Sequence, residues 1–248
     1  NGGPFSDPND RDAMNLGTSV VKEGEPLGLL YGRVATGIIK TQAQLEAARE
    51  EFSLWTIFNP YLNLGDIAYE YEDGFWKEDV IGHATPDFFG GYTNTINWNR
   101  FTLTALFTFS YGNDLIYQKD VSDSGMSSLA NRGTRVLNHY SEDNTSSNRP
   151  RSMWATTYML SSLNVYDASY LKLKTLSLSY NLPESICRKV RIKSASVYGT
   201  ATNVFTITSY PGPDPEVSDD PTSVIGGGRD VSTYPTVKSY TFGIRINF

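Results

Sequence analysis

Few residues in this chain are able to do covalent chemistry. His83 and His139 stand far apart in sequence, each in a stretch that reads as loop, and neither has a nucleophile or carboxylate at a catalytic spacing. Solvated surface imidazoles are the plainer reading of both. Cys187 is the single cysteine, so no intrachain disulfide can form. Arg188 and Lys189 follow it, and neighbouring cations lower a thiol's pKa. No histidine lies near it in sequence, so a bystander thiol is the plainer reading. There is no Walker loop, dinucleotide fingerprint or zinc-ligand spacing. The expectation is that the chain is not an enzyme and has no catalytic residues.

Binding chemistry has more candidates. Glu70, Glu72, Asp73 and Asp79 could offer oxygens to a hard cation such as calcium, which needs several of them converging on one point. Their spacing is irregular, so a solvated acidic loop is the first expectation and a metal-free protein without cofactors follows from it. Trp76, Trp154 and Tyr158 have flat faces suited to stacking on sugars, and Trp55 is a further platform. The competing reading is that these rings pack loops together. The formal net charge is -6, and nothing resembles a basic patch for a phosphate backbone, so nucleic acid is not an expected partner.

The elements that would carry these residues are strands. At 248 residues, with a mean hydropathy of -0.35, the chain has an ordinary soluble composition. A membrane barrel has the same average, because only alternate strand residues meet lipid. No run of about 18 apolar residues exists, which argues against a transmembrane helix. Aromatics make up 13% of the residues, and barrels place such side chains at both membrane interfaces. Tyr240, Phe242, Ile244, Ile246 and Phe248 fall on one face of a strand opposite Thr241, Gly243, Arg245 and Asn247. A terminal strand with this pattern and a final aromatic has the form of a barrel-assembly signal. Phe101, Leu103, Ala105, Phe107, Phe109 and Tyr111 alternate with Thr102, Thr104, Leu106, Thr108 and Ser110. Phe88, Gly90, Tyr92, Ile96 and Trp98 oppose Gly91, Thr93, Thr95 and Asn97, and Leu176, Leu178, Tyr180 and Leu182 oppose Thr175, Ser177, Ser179 and Asn181. Ala195, Val197, Ala201, Phe205 and Ile207 form a less regular fifth set. Polar faces rich in Thr, Ser and Asn suit a wet lumen better than a dry core, where each hydroxyl needs a partner.

The spacing predicts five antiparallel strands near 86–98, 101–117, 166–183, 192–208 and 236–248. Short links at Asn99–Arg100 and Pro183–Arg191 alternate with the long connections 112–165 and 209–235. Short turns on one side and long loops on the other are a barrel's asymmetry. Thr41 and Gln44 have capping-box spacing ahead of Leu45, Ala48 and Phe52, which predicts a short helix near 41–52. A weaker helical pattern covers Leu129–Tyr140. The prolines at 211, 213, 215 and 221 exclude helix and central strand between Tyr210 and Pro221.

Several ordered segments carry a family resemblance. They are Glu25-Pro-Leu-Gly-Leu-Leu-Tyr-Gly-Arg-Val-Ala-Thr-Gly-Ile, Gly65-Asp66, Asp79-Val-Ile-Gly82 and Pro86-Asp-Phe-Phe-Gly90. Further along come Tyr166-Asp-Ala-Ser-Tyr-Leu-Lys-Leu through Leu178-Ser-Tyr-Asn-Leu-Pro183, then Asn203-Val-Phe-Thr-Ile-Thr and Asp214-Pro-Glu216. Together these resemble the C-terminal end of the SusC/RagA family of TonB-dependent importers. The resemblance implies the C-terminal portion of an all-β, 22-stranded transmembrane antiparallel barrel in the bacterial outer membrane, with long extracellular loops. It implies residues 1–85 as mostly extracellular loop and 86–248 as about five barrel strands. It also implies a plug and the rest of the barrel upstream, TonB as a partner through that missing region, and a SusD-like lipoprotein lid. The cargo would be oligosaccharides or peptides. The family's acidic loop often reads as a calcium loop, whereas the stretch from Glu70 to Asp79 departs from it. The rival architecture is a secreted β-sandwich that grips glycan with exposed aromatics.

Overall fold

The computed structural model describes residues 13–15, 18–51, 62–125, 131–152, 160–219, 227–232 and 234–248. In chain order the first strands are β1 (Ala13–Asn15), β2 (Ser19–Lys22), β3 (Leu29–Arg33), β4 (Ala35–Ile38), β5 (Ile67–Tyr69), β6 (Tyr71–Glu72), β7 (Phe75–Trp76) and β8 (Glu78–His83). Then follow β9 (Phe88–Trp98), β10 (Phe101–Tyr111), β11 (Asp114–Tyr117), β12 (Val165–Asp167), β13 (Tyr170–Asn181), β14 (Ser194–Thr208), β15 (Arg229–Asp230) and β16 (Ser239–Asn247). Among the described residues the α-helices are α1 (Gln42–Glu51), α2 (Gln118–Gly125) and α3 (Glu184–Lys189). The chain forms two compact units interleaved in sequence, Asn1–Thr85 with Asp114–Tyr166 and Val217–Thr233, and Pro86–Asn113 with Asp167–Glu216 and Tyr234–Phe248.

The first unit is built from short pieces. Its largest sheet has the order β1-β2-β3-β8, beside the pairs β4-β5 and β6-β7 and the small sheet β12-β11-β15. Helix α1 begins with a reciprocal capping box, in which the Gln44 N–H donates to Thr41 Oγ1 at 3.2 Å and the Thr41 N–H to Gln44 Oε1 at 3.0 Å. The helix buries Leu45 and Ala48 against Ile39, while Phe52 lies outside the described residues. Ion pairs tie distant segments together. Arg151 holds Asp66 at 2.7 Å, and Asp120 accepts from Arg149 and from the Tyr166 hydroxyl, both at 2.6 Å. These carboxylates are buried, so each needs such partners.

The second unit is one antiparallel sheet in the order β16-β14-β13-β10-β9. The two-residue link at Asn99–Arg100 sets the β9–β10 register, and Asn99 takes a φ of 54° that Asn tolerates better than most residues. From Phe101↔Tyr180 the β10–β13 ladder runs to Ser110↔Tyr170, with one shift between Leu106 and Phe107. Strand β13 pairs with β14 from Asn181↔Ser196 to Tyr170↔Thr208, and β14 with β16 from Ser194↔Asn247 to Thr202↔Ser239. The 99–100 and 182–193 connections therefore leave one end of the sheet. The long connections leave the other.

Two boundaries differ from the pattern in the sequence. The strand expected over 101–117 stops at Tyr111, where Gly112 turns at a φ of 86°. Residues Asp114–Tyr117 then pair in parallel with Arg229–Asp230 instead of continuing the spanning strand. The strand expected over 166–183 is interrupted at Ala168–Ser169, leaving β12 and β13 as separate strands in separate sheets. The pattern expected as a helix over Leu129–Tyr140 holds only a 3-10 turn, Thr134–Asn138, among its described residues. The 183–191 link, by contrast, contains helix α3.

The ladder puts the apolar sets on one face. Trp98, Phe101, Tyr180, Val197 and Ile244 share one row, and Leu103, Leu178, Gly199 and Phe242 another. This face is uncovered, with Phe242 83%, Trp98 74% and Ile244 68% exposed. Aromatics gather at its two ends. Phe101 stacks near Trp98 and Tyr180 at 6.3 and 4.7 Å, and Phe88 near Tyr111 at 5.0 Å. From Phe88 to Trp98, with a rise of about 3.3 Å per residue and a tilt of about 40°, the face is about 25 Å tall, the height of a barrel's apolar band.

Replacing Leu178 by Arg, in mid-strand on this face, should cost about 2–4 kcal/mol if the face meets lipid. Ser177→Arg, on the other face, should cost far less. Urea unfolding of the full-length protein in lipid vesicles measures both, and equal losses would contradict the assignment of faces.

Candidate functional site

The opposite face of the sheet is a polar wall. Its hydroxyls and amides bond across the strands within single rungs: Thr102 to Asn97 at 2.8 Å, Thr95 with Thr104 at 3.3 Å, Ser177 with Thr200 at 2.9 Å and Thr202 with Ser239 at 2.6 Å. Asn247 donates to Ser194 at 2.8 Å at the short-turn end. In β9 and β10, Phe89 and Leu106 are the apolar exceptions on this side. A surface already hydrogen-bonded to itself offers solutes a wet wall without strong fixed partners.

At the long-connection end, the wall carries a buried charge cluster. Lys172 is only 1% exposed, and its ammonium contacts Glu216 and lies 3.1 Å from Asp214. Lys174, at the irregularity in β13, and the Tyr170 hydroxyl reach Glu216 at 3.1 and 3.0 Å, and Thr236 donates to Asp214. One lysine thus fixes the proline-rich 210–216 segment to β13, and Thr236 brings in the approach to β16. Burial disfavours ionisation of both carboxyls. For Asp214 the bonds from Thr236, the Glu216 N–H and Lys172 outweigh burial and hold the carboxyl below its ordinary value. For Glu216 those from Lys172, Lys174 and Tyr170 do the same. Nothing in the sequence distinguished Lys172 from an ordinary strand lysine. The one signal is the Asp214-Pro-Glu216 stretch, which carries part of the family resemblance.

The site residues expected from the sequence lie elsewhere or beyond view. Trp76 is in the first unit, with the Arg33 guanidinium 4.7 Å above its ring and Tyr69 edge-on at 6.5 Å. Trp55, Trp154 and Tyr158 lie outside the described residues. The acidic stretch folds as the β6–β7 hairpin with Asp73 and Gly74 at its tip. Glu70 accepts from Lys77 at 2.9 Å, and Asp79 accepts from the Val80 N–H at 2.7 Å. Among the described residues no group of three or more metal-ligating side chains comes together. His83 and His139 each place Nδ1 on a nearby carbonyl, of Thr85 and Val136, at 3.1 and 3.0 Å. Cys187 is the buried residue of α3. Tyr240, Phe242, Ile244, Ile246 and Phe248 are all exposed.

No family profile matches the chain. It is 30% identical over 236 residues to TonB-dependent receptor P3 of Formosa agariphila, a match covering 93% of this chain and 23% of that protein. TonB-dependent receptor P39 of the same organism is 24% identical over 284 residues, covering 96% of this chain and 27% of its own. Among solved structures, the RagAB peptide importer in the closed-closed state aligns with a TM-score of 0.69 at 25% identity, over 96% of this chain and 25% of that one. The RagAB peptide transporter gives a TM-score of 0.70 at 24% identity, over 95% and 24%. The chain thus spans about a quarter of the length of the relatives it matches. Sheet and likeness together give an all-β fold similar to part of the TonB-dependent receptors and of the RagAB importer. Within that class it fits the C-terminal part of the SusC/RagA family.

Because both carboxyls are held below their ordinary values, the cluster's stabilisation is full above those values, 3.8 for Asp214 and 4.5 for Glu216, and is lost as pH falls through the lowered folded ones. Lys172→Met leaves the buried Asp214 without its cation and Glu216 with Lys174 alone, and should cost about 3–5 kcal/mol near neutral pH. Heat-modifiability gels of the full-length barrel should show this gap from wild type shrinking as pH drops below the ordinary carboxyl range. A gap that stays constant from neutral pH down to strong acid would show that the cluster is not ionic.

Proposed function

We propose that this chain forms the last five wall strands of a TonB-dependent importer that takes up peptides or oligosaccharides together with a SusD-like surface lipoprotein. The observation that carries the reading is the single-layer sheet with one apolar, uncovered face and one hydrogen-bonded polar face. A soluble sandwich would bury its apolar face against a second sheet about 10 Å away, and among the described residues no second sheet covers this one. That disfavours the glycan-binding sandwich. The likeness to a peptide transporter supports peptides as the first cargo to test.

In this reading the short-turn end is periplasmic and the connections 1–85, 112–165 and 209–235 stand outside the cell, where a lid would meet them. Connections of that length in a barrel serve recognition, since a few residues suffice to turn. Calcium in the 70–79 hairpin remains a secondary expectation of the same reading, as do cargo contacts at Trp76, Trp154 and Tyr158.

The test is genetic and biochemical. Cells carrying the full-length protein with the 112–165 or 209–235 connection shortened should lose uptake, and a surface lipoprotein should co-purify with the wild type in mild detergent. Unimpaired uptake by the shortened variants, together with a barrel always recovered alone, would exclude the lid.

A further inference from the structure

The second unit separates its charges by end. At the short-turn end stand Arg100, Arg188, Lys189, Arg191, Lys193 and Arg245, with Glu184 as the one carboxylate side chain. At the other end stand Asp87, Asp167, Asp214 and Glu216 with Lys172, Lys174 and Lys238. The sequence hides the cluster, because Arg100 is remote from 188–193. The ladder brings them together: the Asn181 N–H donates to the Arg100 carbonyl at 2.9 Å, one residue before the link that carries α3, and the Lys193 N–H donates to the Asn247 carbonyl at 2.9 Å.

Glu184 is taken by Arg188 at 3.1 Å. Arg100, Lys189, Arg191 and Lys193 are exposed and have no carboxylate partner among the described residues. They sit just beyond the Trp98–Phe101–Tyr180 row, and Trp and Tyr mark the headgroup level of a bilayer. Helix α3 buries Cys187, while its Ile186 and the following Val190 are 48% and 61% exposed beside these cations. Apolar side chains next to unpaired cations, at interface depth, match a lipid surface whose phosphates are negative.

We propose that this end of the sheet is a binding belt for anionic phospholipid headgroups of the periplasmic leaflet, with Arg100, Lys189, Arg191 and Lys193 as the phosphate-contacting residues. The assignment rests on the membrane reading above and on its orientation. An acidic periplasmic protein is the competing partner. The exposed Ile186 and Val190 and the adjoining aromatic row favour lipid, because they need an apolar layer beside the charges.

The experiment uses the full-length transporter in nanodiscs of four parts phosphatidylcholine to one part phosphatidylglycerol, with bromine on the acyl chains of one lipid at a time. Trp98 is the reporter, and its share of the fluorescence is what disappears in Trp98→Phe. Quenching per brominated lipid should favour phosphatidylglycerol by roughly two- to fivefold, the scale expected when a few cations each attract an anionic lipid. The preference should fall to near one in the quadruple variant R100Q/K189Q/R191Q/K193Q and should weaken in high salt. Two single variants, Lys189→Gln and Arg191→Gln, should each lower it partway, which keeps the test valid if the quadruple variant folds poorly. Equal quenching by both lipids in the wild type, or a preference untouched by every variant, overturns the belt and leaves the acidic-protein reading. No quenching of Trp98 by either lipid would instead refute the membrane reading itself.

Discussion

Everything in the second unit depends on the backbone ladder that runs from β9 to β16, with register shifts only at Leu106–Phe107 and Leu173–Thr175. A backbone amide or carbonyl left unpaired in hydrocarbon costs several kcal/mol. Five strands with paired neighbours can therefore show an apolar face to lipid, whereas the same side chains on a broken ladder could not. Once the ladder exists, alternation does the rest, sending most Leu and Phe to one side and most Thr, Ser and Asn to the other. The wall, the aromatic rows and the segregation of charge to the two ends are consequences of that one pairing.

Register is the vulnerable quantity, because a slip of one residue exchanges the two faces. Strands β14 and β16 pin it with glycines on successive rungs. Tyr198 pairs with Gly243 and Gly199 with Phe242, on opposite faces. A Cβ on Gly243 would run into the Tyr198 ring, and one on Gly199 would sit 3.3 Å from the Phe242 ring. Each ring thus lies over a position that only glycine can leave empty, and a slip would put a side chain under both. The Lys172 cluster anchors the other end of β13 in a different way, through charge.

Period-2 alternation made β9, β10, β13, β14 and β16 legible, because a face that meets lipid tolerates few polar residues. Thr41 and Gln44 likewise announced α1, since a capping box is a local device. What failed to show was non-local. Asp114–Tyr117 continues the apolar pattern of β10 and looks like its extension, yet it pairs with Arg229–Asp230, more than a hundred residues on. Helix α3 is six residues long, too short for a helical period to emerge. Lys172 reads as one polar residue among many on its face, and only the returning 214–216 segment makes it a buried ion. Arg100 and the 188–193 cations are neighbours through topology alone.

The central claim is that one face of this sheet meets lipid and the other does not. Its most direct measurement is a cysteine scan of 196–201 and 240–245 in the full-length protein, on a background in which Cys187 is replaced by Ala. Each site carries an environment-sensitive fluorophore, read in vesicles with and without brominated acyl chains. The account predicts quenching that alternates residue by residue, strong at 197, 199, 201, 240, 242 and 244 and weak at 196, 198, 200, 241, 243 and 245. Uniform quenching along either strand, or an alternation of opposite phase, would contradict it.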